Sequence, residues 1–311
     1  MIGHRGFLIS ADERAKLVAR DRRNKEVTFP YLNGMDALSG AELDRYVIDF
    51  EQRDRYQAEA YTISFDHVRS TVLPDRERKA EEGKDAEGKV RPHHKGFLAH
   101  WWRLSFGRPE MLSVIKPLPR YLACAYVTRR PIFMFISSDI RPSNLIQVFG
   151  FADDYSFGIL QSPMHWLWFT TKCGKLKGDF RYSAESVFDT FPWPQAPRKT
   201  QIAEVAAAAV ALRGLRLEIM SKLDYSLRDL YRTLEEPGTN PLRDAHARLD
   251  TAVRAAYGMP PAADPLAFLL DLNLVLAAKE KKGEPITPPG LPLPPANQAA
   301  YITDDCVRIQ S

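Results

Sequence analysis

Between Pro194 and Thr200 the spacing of apolar residues changes, and this change limits the architectures open to the chain. Beyond it, Ile202, Val205, Ala209, Leu212, Leu215 and Ile219 recur at steps of three and four, which places them on one face of a helix. Leu242, Ala245, Leu249, Val253 and Ala256 repeat the pattern. A third helix is predicted over 265–278, with Pro265 at a first-turn position that tolerates proline. Before the switch the apolar runs are short and β-prone: 27–34, closing on an Asn33-Gly34 turn, then 46–50, 145–151 and 157–161. Residues 121–136 read as two β-rich halves interrupted by Thr128-Arg129-Arg130-Pro131, a hairpin pattern with arginines at its tip. Ser10 followed by Glu13 is a capping-box pattern and predicts a helix over 11–19, and 53–59 is also helical in character. The fold class that results is α+β. A mixed, β-rich domain is expected over 1–196 and an α-helical bundle over 197–282, followed by a proline-rich, extended tail over 283–311.

A chain of 311 residues holds one large or two modest domains. Its net charge of +4 is mild, so charge has to be read locally. Residues 67–130 carry 14 Lys or Arg against 7 Asp or Glu, an excess larger than that of the whole chain. Within them, 75–95 is nearly devoid of apolar residues, which predicts an exposed, mobile basic loop. Cys124, Cys173 and Cys306 lie far apart without metal or redox spacing, the usage of a reducing, cytoplasmic setting. The N-terminus lacks the apolar core of a signal peptide, and no apolar run approaches the roughly 18 residues of a membrane span.

Catalytic patterns are sparse. Asp75 with Glu87-x-Lys89 matches, on paper, a Mg²⁺-dependent nuclease, but that chemistry needs its carboxylates and amine on a rigid strand. His93-His94 has no Cys or carboxylate at ligand spacing. No Gly-x-Ser-x-Gly elbow and no glycine-rich phosphate or dinucleotide loop is present. Asn240-Pro241 is followed by Leu242, not by the second proline of an adenine-gripping Asn-Pro-Pro-aromatic motif. Asp153-Asp154 and Asp304-Asp305 read as turn residues. These observations predict no active site, no metal and no cofactor in this chain.

The stretch 156–194 remains. An aromatic knot (His165, Trp166, Trp168, Phe169) and a second one (Phe188, Phe191, Trp193) flank a small loop bearing Lys172, Lys175, Lys177 and two glycines. Basic residues interleaved with aromatics are one footprint of nucleic-acid binding. Aromatics also bury large areas wherever they occur, so the residues by themselves favour a core with a solvated loop across it. Trp101, Trp102, Trp166, Trp168, Phe191 and Trp193 are assigned to the core.

Several pieces, in order, resemble MmeI-type adenine-specific DNA methyltransferases of type IIG/IIL restriction–modification systems. They are Gly6-Phe-Leu-Ile9 through Phe29-Pro-Tyr-Leu-Asn-Gly34, Tyr46-Val-Ile-Asp-Phe50, Val72-Leu-Pro-Asp-Arg76, Trp101-Trp102 with Arg108-Pro109, and Val127-Thr-Arg-Arg130. Most specific are Ser156-Phe-Gly-Ile-Leu-Gln-Ser162, His165 and Arg181-Tyr-Ser through Phe188-Asp-Thr-Phe-Pro-Trp-Pro194. Ser226-Leu-Arg-Asp-Leu-Tyr231, His246, Leu249-Asp250, Ala252-Val253, Ala256-Tyr-Gly258 and Leu272-Asn273 are similar to the family's C-terminal helices. The resemblance implies a target-recognition domain and its helical support. It also implies double-stranded DNA as partner, together with a methyltransferase catalytic domain, in cis or in trans, that would hold S-adenosylmethionine outside this chain. The chain is then a piece of a larger protein or a separate specificity polypeptide.

Arginine forks can bond bidentately to guanine, so Arg129 and Arg130 with Thr128 are the candidates for base reading, at the place the resemblance also implies. Lys172, Lys175, Lys177 and Arg181, then Arg91, His93, His94 and Lys95, are the candidates for phosphate contact. A Mg-dependent nuclease, or a protein–protein adaptor working through the later helices, are the alternatives.

Overall fold

The structure, a computed structural model, describes residues 4–34, 36–39, 43–84, 88–176 and 179–309. Three small sheets form in its first part, and the fold is α+β. One has the order β1-β3-β2-β7, from β1 (Leu8–Ser10), β2 (Thr28–Leu32), β3 (Arg45–Ile48) and β7 (Arg141–Pro142). Both β1 and β2 run antiparallel to β3, with Ile9 opposite Tyr46 and Phe29 opposite Val47, while β7 joins β2 in parallel. The second sheet is antiparallel and centred on β4 (Arg120–Ala125), between β6 (Met134–Ser137) and β8 (Ile146–Phe149). The third is a narrow ribbon in which β10 (Asp179–Arg181) lies between β5 (Val127–Thr128) and β9 (Lys175–Leu176).

Local signals place the helices. In α1 (Ala11–Arg20) the Ser10 hydroxyl accepts the Glu13 N–H at 3.1 Å and the Glu13 carboxylate accepts the Ser10 N–H at 2.7 Å, the reciprocal capping box expected from the pattern. Short α2 (Asp36–Ser39) and α3 (Arg55–Glu59) follow. Helices α9 (Lys199–Leu223), α10 (Leu227–Arg232), α11 (Pro241–Tyr257) and α12 (Pro265–Lys281) make up the second part. Asn240 caps α11 by accepting the Leu242 and Arg243 N–H groups, and Gly258 ends that helix in the left-handed region at φ 64°. The Asn-Pro pair is therefore a helix start.

Two expectations about secondary structure fail. The expected loop 75–95 begins inside α4 (Thr62–Glu82), whose buried face runs Phe65, Val68, Val72, Arg76, Ala80. Arg76 continues the apolar stripe: its guanidinium donates to the carbonyls of Phe97 (2.6 Å) and Arg103 (3.0 Å), pinning α5 (Pro92–Ala99) and the turn after it. Outside, Asp75 pairs with Lys79 at 2.7 Å and Arg78 with Glu82 at 2.8 Å, so the polar composition is that of a solvated helix face. The predicted strand over 157–161 is helical, in α7 (Asp154–Gln161). Asp153 accepts the Ser156 N–H at 2.7 Å and starts it, and every residue of α7 is buried, which erases the periodicity that distinguishes a helix from a strand.

The core crosses the 194–200 boundary without a break. Gly158 of α7 faces α9 so closely that a Cβ there would lie 2.6 Å from Val205 Cγ1, and α9 also packs along α11. Asp154 accepts from Arg120 at 2.7 Å and from Arg213 of α9 at 2.5 Å. Asp305 takes Arg213 at 2.6 Å and Arg120 at 3.1 Å. The aspartates expected in turns thus include two that close a buried ion cluster across the boundary. Within the proline-rich tail, the Val307 N–H donates to the Phe135 carbonyl at 2.9 Å, which sets residue 307 beside β6. No helix among the described residues is long and apolar enough to cross a membrane.

Candidate nucleic-acid interface

The aromatic stretch is both things its composition allowed. Trp168, Phe169, Tyr182, Phe191 and Trp193 are buried, packed between α8 (Pro163–Lys172) and the segment after β10. His165 sits at their centre, its Nε2 2.9 Å from the Tyr182 hydroxyl. Burial pushes its pKa down to about 3, so the ring is neutral and structural. The basic loop crosses the outside of this core as the β5–β10–β9 ribbon. Its register sets Phe180 opposite Thr128, Arg181 opposite Val127, and Lys175 opposite Phe180. Arg181 Nε donates to the Tyr126 hydroxyl, with its guanidinium 4.9 Å from that ring.

This pairing brings the two expected groups together. Thr128 lies on one edge strand of the ribbon, and Lys175 and Arg181 lie on the other two. Lys172 closes α8 just before them, its Nζ 4.8 Å from the Trp168 ring. Lys177 falls outside the described residues. Arg91, His93, His94 and Lys95 are elsewhere: Arg91 precedes α5, the other three are on its first turns, and α5 packs on α4. The His93 and His94 rings lie 4.0 Å apart, one against the other.

The three base-reading candidates are not equivalent. The Thr128 hydroxyl donates to the Arg130 carbonyl at 2.6 Å and accepts the Arg130 N–H at 3.3 Å, so it holds the turn. Arg130 is half-buried, its guanidinium 4.3 Å over Trp166 and 5.9 Å from the Tyr231 ring. Arg129, between them, is exposed. Trp166 was expected in the core but is 38% exposed, because it turns away from Trp168 toward Arg130.

Arg129, Arg130 and Trp166 line a cleft of about 890 Å³ whose opposite wall is α10. Arg228 and Arg232 stand on that wall, with Glu235 just beyond them. Sequence reading passed over these arginines, although their spacing of four residues on a helix was a usable signal that they share a face. Tyr231 forms the floor: its hydroxyl lies 2.9 Å from His246 Nε2 and accepts from Arg216.

Of the nuclease pattern, only part lies within the described residues. Asp75 is on α4, held by Lys79, by Arg78 at 2.5 Å and by His4 at 2.9 Å, and Glu87 falls outside the described residues. Among the described residues no three His, Cys, Asp or Glu gather into a metal site.

Residues 125–195 match the family described as MmeI, target recognition domain, so the resemblance drawn from the sequence holds where the ribbon and the Thr128–Arg130 turn lie. The chain is 39% identical over 119 residues to DNA methyltransferase A of Bacillus subtilis (strain 168), a match covering 37% of this chain and 12% of that protein. Its fold is similar to the Type IIL restriction-modification enzyme MmeI solved in complex with DNA, with a TM-score of 0.65 and 21% identity over 88% of this chain and 34% of that one. The chain thus spans a minor part of the length of both.

Proposed function

We propose that this chain reads double-stranded DNA sequence for an adenine-N6 DNA methyltransferase of a restriction–modification system, whose catalytic part is supplied in cis or in trans. One observation carries the reading: the β5–β10–β9 ribbon joins the Thr128–Arg130 turn to Lys175 and Arg181, inside the segment that matches a target recognition domain. Phosphate contacts position a protein on the duplex, while base edges carry the sequence information. The ribbon offers both kinds of group within a few residues of each other. In this reading Arg129 reaches a base edge, Arg130 and Thr128 set its position, and Lys172, Lys175, Lys177 and Arg181 meet the backbone. S-adenosylmethionine binds the catalytic part, and this chain neither binds the cofactor nor methylates DNA alone. The assembly works in the cytoplasm.

The test is methylation-site sequencing with the catalytic part supplied. Replacing Arg129 with Ala should relax one position of the modified motif, because a bidentate contact to guanine discriminates by about 1–3 kcal/mol. An unchanged motif and rate for both Arg129→Ala and Arg130→Ala would remove this turn from the reading surface.

A further inference from the structure

We infer that Arg228 and Arg232 of α10 grip the phosphate backbone of the same duplex, so that the helical part forms the second wall of the recognition cleft. This rests on the DNA-reading function proposed above and assigns it a surface outside the recognition segment 125–195.

Four observations support it. First, α10 is held rigidly from behind. Leu227, Leu230 and Tyr231 are buried, and the Ser226 hydroxyl accepts the Asp229 N–H at 3.1 Å to start the helix. Second, that anchoring turns Arg228 and Arg232 outward, both exposed and both lining the cleft opposite Arg129 and Arg130. Third, the turn and α10 adjoin: the Arg130 guanidinium lies 5.9 Å from the buried Tyr231 ring, one residue before Arg232, so the exposed arginines of both belong to one continuous surface. Fourth, the charged lining is four arginines against Glu235, a sum of +3. The Arg232–Asp229 pair at 3.1 Å is open to water on both sides, and exposed pairs of this kind are weak and readily exchanged for a phosphate.

Arginines on the turn and on α10 along one cleft present a row of guanidinium groups with little opposing charge, which fits a ligand carrying regularly spaced phosphates. Duplex DNA is such a ligand.

The experiment measures duplex affinity of the full chain, with the catalytic part supplied, against salt. For the double variant Arg228→Gln/Arg232→Gln, the loss should be the same for cognate and non-cognate duplexes, with the methylated motif unchanged. The slope of log affinity against log salt should become shallower by about 1.8, two contacts at about 0.9 each. Raising salt from about 50 to about 200 mM would then cost the native chain about tenfold more affinity than the double variant. Arg228→Lys/Arg232→Lys should restore most of the slope, which repair of a purely structural role would not do. Lys172→Gln with Arg181→Gln serves as the ribbon control. If the ribbon variants lose binding while the α10 variants keep native affinity and slope, the α10 assignment is wrong and the DNA-reading function stands. A change of motif in the α10 variants would overturn phosphate contact in favour of base reading. Native protein that shows no salt-dependent duplex binding would overturn both readings.

Discussion

Two groups of arginines stand in this molecule, Arg120 and Arg213 around Asp154, and Arg129, Arg130, Arg228 and Arg232 around the cleft. In the first, two guanidinium groups meet two carboxylates, and a threonine hydroxyl bonds into the set, with Thr303 Oγ 3.0 Å from Asp154. The formal charges of these four groups sum to zero, and the cluster ties β4, α7, α9 and the tail together. In the cleft the lining carries a surplus of positive charge, Arg130 rests on an aromatic face, and the Arg232–Asp229 pair is solvated. The difference lies in what each charge faces, not in how many there are. Counting charge along 67–130 therefore overstated that segment's surface, because Arg76 and Arg120 belong to the interior.

The comparison breaks most visibly if the interior cluster proves dispensable. Arg213→Ala leaves Asp154 and Asp305 each short of a partner, and breaking a buried pair costs about 3–5 kcal/mol. A denaturation midpoint shifted by that much is expected, and a shift under about 1 kcal/mol would show that the cluster is ornamental.

The interior can also be probed through its neutral bases. His165 and His246 are both held down to about 3 by burial, against an ordinary value of 6.5. Protons that the unfolded chain binds between those values are refused by the folded one, so this contribution to stability is complete above about pH 6.5 and lost as pH falls. Each histidine should cost about 1.4 kcal/mol per pH unit below its unfolded value. Urea titrations from pH 7 to 5 measure this, and flat stability across that range would mean that the two rings are not held neutral.

Cleft substitutions should behave in the opposite way. Arg129→Ala should lower cognate affinity by about 1–3 kcal/mol while moving the denaturation midpoint by less than about 0.5 kcal/mol. An Arg129→Ala variant that instead unfolds easily would place that residue with the interior group. Smallest of all, Lys172→Gln should weaken every duplex alike and reduce the salt slope by about 0.9. Sequence-dependent weakening would make that lysine a reader.

The legible parts of the fold are those whose causes lie within a turn or two along the chain. The Ser10–Glu13 box and the three-four spacing of α9 and α11 were read correctly because partner and effect are three or four residues apart. Strands 45–48 and 146–149 were legible by composition, and the arginine turn by its interruption of two β runs. What failed was local pattern overruled by burial. A fully buried α7 has no polar face to reveal its period, and α4 uses an arginine where its stripe would show an aliphatic residue.

By itself, then, the sequence determined the fold class, the position of the helical part and the short stretch that carries Arg129 and Arg130. Only the tertiary structure decided that β5 pairs with β10 some fifty residues on, that Arg120 meets Asp305 across 185 positions, and that α10 closes the cleft. The physical reason is that capping and periodicity act through neighbours fixed by chain geometry. Ribbon pairing and ion clusters depend instead on which distant groups a shared core brings within hydrogen-bond reach. Trp166 shows the limit most plainly: it is two residues from a buried Trp168, yet it faces the cleft because Arg130, folded in from another element, lies over its ring.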